Sequence, residues 1–307
     1  MRVGLAVQYA GAALAWGASF LFIKIGLEGL SFSQVVLWRL VLGALTLGVV
    51  VALTRSRLPG DATTWTHLSV LAVVQCLVPW LLLSWAEQTI SSGLASIYNA
   101  TTPLMTMSVA LAFLPSERLT DAKLFGLLLG FSGVMVVLAP WQAGIVGSVP
   151  AQLACLGATA SYGVALVYLR RFVLPRGVDT PTIAFMQVSI AATVMLVATP
   201  WAASSPMHLT PAVVASMIGL GVFGTGLAFV WNTNVVRGWG PTAASTVTYL
   251  TPLFGIVLGA VVLGESISWN HPVGALVVIA GIVVTQRASR MSTNAMTRGR
   301  IMITGAR

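Results

Sequence analysis

The chain is poor in acid. Seven Asp and Glu stand against 16 Lys and Arg in 307 residues, and charged residues of both signs make up only 7%. A soluble domain carries roughly 25%, so there is too little charge here to coat a globule, and a soluble enzyme is excluded. No acidic residue falls in the middle of an apolar run, so neither a paired-carboxylate metal site nor a buried acidic proton relay is legible. The two cysteines, Cys76 and Cys155, lie in apolar runs and read as free buried thiols. Lys24 and Lys123 are the only lysines, and neither follows a glycine-rich phosphate loop, which removes ATP hydrolysis by that route. His67, His208 and His271 are scattered without metal-ligand spacing. No cofactor is expected.

What the chain has in excess is apolar surface, at 57% of residues. About 20 apolar residues cross a bilayer. Runs of that kind lie at 4–24, 34–53, 67–86, 93–113, 122–140, 149–169, 180–201, 211–233, 241–263 and 272–286, which predicts an all-α membrane protein with ten transmembrane helices. The first run continues through Trp16 and Phe20, past a cleavage-like Ala13-Leu14-Ala15, so it reads as a span and not as a signal peptide. Basic residues alternate between loops. Arg2, Arg55, Arg57, Arg118, Lys123, Arg170, Arg171, Arg176, Arg237 and the arginines from Arg287 onward share one side, while the loops around 87–92, 141–148, 202–210 and 264–271 have none. The positive-inside rule then puts both termini in the cytoplasm, in a cell inner membrane. With its cations assigned to topology, the chain is not expected to bind nucleic acid. Residues 287–307 read as a disordered basic cytoplasmic tail that can touch anionic lipid.

The halves repeat. Trp16-Gly17 aligns with Tyr162-Gly163, and the same shift sets Lys24 on Arg170. Further on, Thr102-Pro103-Leu104 corresponds to Thr251-Pro252-Leu253, Glu117 to Glu265, and Gly126 and Gly133 to Gly274 and Gly281. The expected units are 1–145 and 146–286, each with five helices. Five is odd, so the second unit enters the membrane from the opposite side. Such inverted repeats underlie alternating access.

Trp16-Gly17 followed by Lys24, Trp38-Arg39 opening the second helix, Thr-Pro in the fourth and ninth, and glutamates before the fifth and tenth together resemble the EamA family of the drug/metabolite transporter superfamily. The resemblance spans about residues 10–286. It implies an alternating-access carrier, often an exporter of amino acids or other small metabolites, with a central cavity built from helices 1, 3, 4, 6, 8 and 9.

The residues that could line such a cavity are polar or aromatic ones inside spans. Arg39 lies roughly 8 Å into its helix at 1.5 Å per residue, and a charge there needs a reason. Arg39 and Lys24 either attract an anionic group of a solute or pair with Glu28 or Glu87, two acids that read as solvated near the outer face. Trp16, Trp80, Tyr98, Tyr162 and Tyr249 could stack on a solute or join interfacial belts. Gln75, Asn99 and Asn232 either face a wet pathway or bind neighbouring helices. The expected solute is a small amphipathic molecule such as an amino acid, carried by a monomer or homodimer. A multidrug or nucleobase exporter, a channel, or an intramembrane protease using Ser132 of Gly130-Phe131-Ser132-Gly133 with His271 are the alternatives.

Overall fold

A bilayer offers no partner to a free backbone N–H or C=O, so apolar runs fold as helices that satisfy both internally. The computed structural model describes residues 2–90, 95, 98–114, 120–138, 148–254, 257–258, 269–270, 272–274, 276–285 and 287–288. Its helices are α1 (Arg2–Gly26), α2 (Phe32–Thr54), α3 (Ala62–Ala86), α4 (Thr102–Phe113), α5 (Asp121–Leu138), α6 (Val149–Arg176), α7 (Thr180–Ala202), α8 (Pro211–Trp239), α9 (Pro241–Ser245) and α10 (Pro272–Thr285). Among the described residues, six of these (α1, α2, α3, α6, α7 and α8) are long and apolar enough to cross a membrane. The protein is an all-helical membrane protein.

The starts follow side-chain caps. Ser31 and Gln34 form a reciprocal capping box at α2, the Asp61 carboxylate accepts from the Thr64 N–H at 2.8 Å, and Ser148 and Thr210 cap α6 and α8. The Asp61 cap explains why α3 begins earlier than the apolar run from residue 67. Helix α8 likewise runs past residue 233 to Trp239, because Asn232 and Thr233 are buried inside the bundle and not at its surface.

Helices are interrupted at matching places in the two halves. Chain turns at Ala100 and Thr101 precede α4, and a 3-10 turn, Thr246–Tyr249, precedes the helical residues 251–254. In each case a Thr-Pro pair opens the helix that follows, where the missing proline N–H leaves nothing unpaired. Hydroxyls serve the carbonyls at the breaks: Thr101 donates to Tyr98, Thr102 to Asn99, Thr248 to Ser245 and Thr251 to Thr248. A second kind of irregularity, a π-helical turn, sits inside α3 at Val73–Leu77 and at the corresponding place inside α8 at Leu220–Leu227, with a third inside α6 at Leu169–Val173.

Packing follows a crossed pattern. Helix α1 lies on α8 as α6 lies on α3; α2 lies on α8 as α7 lies on α3; and α2 pairs with α7. Where α5 meets α10, a Cβ on Gly126 would sit 3.0 Å from the Gly281 carbonyl, one on Gly133 3.0 Å from the Gly274 carbonyl, and one on Gly281 2.3 Å from the Gly130 N. The backbones touch there, as small residues permit. Glu117, Trp141, Gly255, Gly259, Glu265, His271 and the tail from residue 289 lie outside the described residues.

Candidate functional site

The breaks and the π turns of α3 and α8 surround one cavity. Its wall includes Trp16, Ser19 and Phe20 of α1, Arg39 of α2, Gln75 and Trp80 of α3, Asn99 and Thr102 at the break before α4, and Tyr162 of α6. Phe229 and Asn232 of α8 and Ser245 and Thr248 at the second break complete it. Irregular backbone at membrane depth is tolerated where it lines a cavity. Seven residues singled out by the sequence are thus brought together: Trp16, Arg39, Gln75, Trp80, Asn99, Tyr162 and Asn232. Helix 2 joins the expected helices through Arg39.

Arg39 is held from two directions. Its Nε donates to the Thr225 hydroxyl at 2.9 Å, and its guanidinium carbon lies 3.8 Å from the centre of the Trp80 ring. Thr225 sits in the α8 π turn and passes its own proton to the Leu220 carbonyl, five residues back, at 3.1 Å. The anchor thus depends on the π geometry. Trp80 in turn meets the edge of Phe229 at 5.4 Å between ring centres, and Phe229 meets Trp16 at 6.3 Å. Arg39 is 5% exposed, and among the described residues it has no carboxylate within ion-pair distance. The Gln75 Oε1, from the α3 π turn, is also buried without a hydrogen-bond partner. An arginine fixed through Nε keeps its planar Nη fork available for bidentate pairing with a carboxylate or similar anion.

The π turns of α3 and α8 each accept a hydrogen bond from the other half. Trp16 Nε1 donates to the Gly224 carbonyl of α8 at 3.0 Å, and Ser161 Oγ to the Val74 carbonyl of α3 at 2.7 Å. Trp16 and Ser161 stand one residue apart under the repeat alignment.

The structure places three predicted residues away from the cavity. Lys24 Nζ donates to the backbone carbonyls of Glu87 at 3.0 Å and Ile90 at 3.5 Å, closing the C-terminal end of α3. Its repeat partner Arg170 does the same for α8, donating to the Arg237 carbonyl at 2.9 Å. Tyr98 gives its hydroxyl proton to Gln152 at 2.7 Å. Tyr249 is fully buried, donating to the Leu127 carbonyl at 2.9 Å, with its ring lying where a Cβ on Gly130 would be.

Two further readings change. Glu87, expected in solvent, is fully buried, and among the described residues neither of its carboxylate oxygens has a hydrogen-bond partner. Ser132 donates to the Leu129 carbonyl within its own helix, the ordinary arrangement of a helical serine.

The fold and cavity define a multi-pass membrane protein with an internal chamber lined by aromatic and polar side chains. The chain belongs to the EamA-like transporter family, whose model matches residues 6–139 and 149–287. Among similar proteins, the uncharacterized transporter YdfC of Bacillus subtilis is 25% identical over 272 residues, covering 88% of this chain and 87% of its own. A protein of Streptantibioticus cattleyicolor named a probable terminal-alkyne amino-acid exporter is 27% identical over 279 residues, covering 89% and 90%. The uncharacterized inner membrane transporter YedA of Escherichia coli K12 is 22% identical, covering 88% and 87%. One crystal structure superposes with a TM-score of 0.74 at 20% identity, covering 95% of this chain and 99% of the other, which speaks to the fold alone. These relatives are named as transporters, and no catalytic activity is indicated.

Proposed function

We propose that the chain is a secondary transporter of the inner membrane that carries a small amphipathic solute with an anionic group, an amino acid being the leading class. It works by alternating access between two inverted five-helix halves. The observation that carries the substrate reading is Arg39, buried in the cavity wall with no carboxylate paired to its fork among the described residues and an aromatic lining beside it. A cationic drug would meet that charge unfavourably. The exporter name of one relative points the same way.

Four features support the inverted halves: two family matches, the crossed helix contacts, the paired π turns and the paired Lys24 and Arg170 caps. The cavity offers about 70 Å³ to the centres of water-sized molecules. One water needs roughly 10–15 Å³ on that measure, so the chamber admits a few waters and must widen to admit an amino acid. Discontinuous helices at the repeat interface are suited to such widening. The cytoplasmic position of both termini remains part of this proposal and rests on the arginine distribution.

Proteoliposomes loaded with amino acids, nucleobases or cationic drugs test the reading. Saturable uptake that is stimulated by internal amino acid is the expected result; ohmic conductance in planar bilayers, or uptake of cations alone, would replace it. Arg39→Met should lower the apparent affinity for the transported amino acid by at least about tenfold, since a hydrogen bond to a charged group contributes about 1.5–3 kcal/mol. Arg39→Lys should fall between, because an ammonium lacks the planar fork.

A further inference from the structure

The most unusual charge in the molecule is not in the cavity wall. Glu87 lies one residue past the α3 span and one helical turn beyond Leu83, which does line the cavity. Its carboxylate is fully buried, and among the described residues neither oxygen has a hydrogen-bond partner. Lys24, which could have paired with it, spends its hydrogen bonds on backbone carbonyls. An ionised carboxylate removed from water without such bonds costs several kcal/mol and is relieved by taking up a proton.

The charged and titratable groups within electrostatic reach of Glu87, among the described residues, are Lys24 from α1, Arg39 from α2 and Cys155 from α6. Glu28 and His208 at the same end are exposed. Two cations beside Glu87 oppose a bound metal ion, whereas a proton cancels the carboxylate charge without adding bulk.

We propose that Glu87 is a proton-binding site coupled through the electrostatic field to Arg39, so that proton occupancy and the charge Arg39 offers to a solute are tied together. When Glu87 is ionised it offsets part of the Arg39 charge. When it is protonated, Arg39 presents its full charge to the cavity. By linkage, an anion settling on Arg39 weakens the pull that keeps Glu87 ionised, and a proton is taken up. Burial pushes the Glu87 carboxyl up to about 8, against the opposing influence of Lys24 and Arg39, so the exchange falls within reach of ordinary cellular pH. The solute half of this inference rests on the cavity reading above; the proton half does not.

Infrared difference spectroscopy on the purified full-length protein, recorded between pH 5.5 and 10, tests it without a solute. A protonated-carboxyl C=O band that titrates near pH 8 and is missing in Glu87→Gln is expected. Lys24→Met and Arg39→Met should each move its midpoint upward by about one unit, because each removes a charge that favours the ionised form. Absence of a band that Glu87→Gln removes would overturn the proton site. A midpoint unmoved by Arg39→Met, in protein that melts like the wild type, would overturn the coupling. If Arg39→Met does not fold, Arg39→Gln decides the coupling, since it also removes the charge and should raise the midpoint by about one unit, an unmoved midpoint overturning it. Failure of every solute in the proteoliposome panel, with the band intact, would sink the transport reading and leave the proton site standing.

Discussion

The two ends of the bundle are closed by different chemistry. At the arginine-rich end, α3 and α6 share a buried apolar cluster that includes Leu68, Leu71, Leu169 and Val173, and add polar contacts to it: the His67 Nδ1 lies 2.6 Å from the Tyr168 hydroxyl, and Arg176 approaches Asp61 at 3.6 Å and the Thr64 hydroxyl at 3.3 Å. Arg237 donates to the Val178 carbonyl and Arg171 to Phe113. At the far end, Ile23 of α1, Leu30 of the loop that follows and Val35 of α2 pack with Val213, Met217 and Leu220 of α8, all buried, and the loops before α2 and α8 bond by their backbones, His208 N–H to Gly29 C=O at 2.9 Å. Exposed ion pairs contribute about 0–1 kcal/mol, whereas a packed apolar seam loses many dispersion contacts at once when it parts. The arginine-rich junction thus adds side-chain polar contacts to its apolar cluster, whereas the far junction adds a backbone contact between loops.

The largest test of that difference uses one glycine from each end. A Cβ on Gly29 would lie 2.0 Å from the His208 carbonyl oxygen, a backbone atom that cannot swing away. Gly29→Ala should therefore force the two loops apart and lower stability by about 3 kcal/mol, the upper part of the usual overpacking range. Gly177, in the α6–α7 loop at the other end, has φ of 71° and open space around it. Gly177→Ala meets only the left-handed backbone cost of about 1 kcal/mol. Thermal unfolding of the two variants in the same detergent measures the gap. Equal losses would erase the contrast between a close backbone contact at one end and an open loop at the other.

A middle-sized effect should come from the ring cluster. His67 stacks on Phe172 at 5.6 Å and 9° while bonding Tyr168. Tyr168→Phe keeps the rings and deletes one hydrogen bond, so a loss of about 1 kcal/mol is expected. His67→Phe together with Tyr168→Phe should cost no more than Tyr168→Phe alone within about 0.5 kcal/mol, if the pair acts only through that bond. An additive double loss, read in the same melts, would show a more tightly knit end than the contacts suggest.

Much of this architecture was legible where physics leaves a mark on composition. Arg39 stood out because a charge inside an apolar run must be explained, and Trp16 and Tyr162 because they align between the halves. The threonines before Pro103 and Pro252 could be marked as polar but not as the hydroxyls that serve carbonyls at helix breaks. Tyr249 reads as a cavity aromatic until Gly130, far along the chain, is found making room for its ring. Glu87 was opaque for a similar reason: an acid at the end of a helix looks the same in sequence whether water or other helices cover it. The π turns leave no composition signature, so Thr225, the partner that orients Arg39, was missed.

The smallest effect, and the one that probes the arginine-rich end most selectively, concerns acid. The Asp61 carboxyl lies below its ordinary range, chiefly because it accepts hydrogen bonds from Thr64, first from the hydroxyl and then from the N–H, with the Arg176 charge contributing less. A carboxyl whose value is lower folded than unfolded adds stability above the unfolded value, and that contribution is lost as pH falls through the folded value. The affected window therefore lies below the usual Asp value of about 4. Asp61 is exposed, so solvent keeps the effect small and local to the first turn of α3. Protection of the Thr64 and Trp65 amides against hydrogen exchange should fall between pH 5 and pH 3 in the wild type. In Asp61→Asn it should be lower at pH 5 and change little over the same interval. Equal acid sensitivity in both proteins would mean that this end is held by Arg176 and its neighbours without the cap.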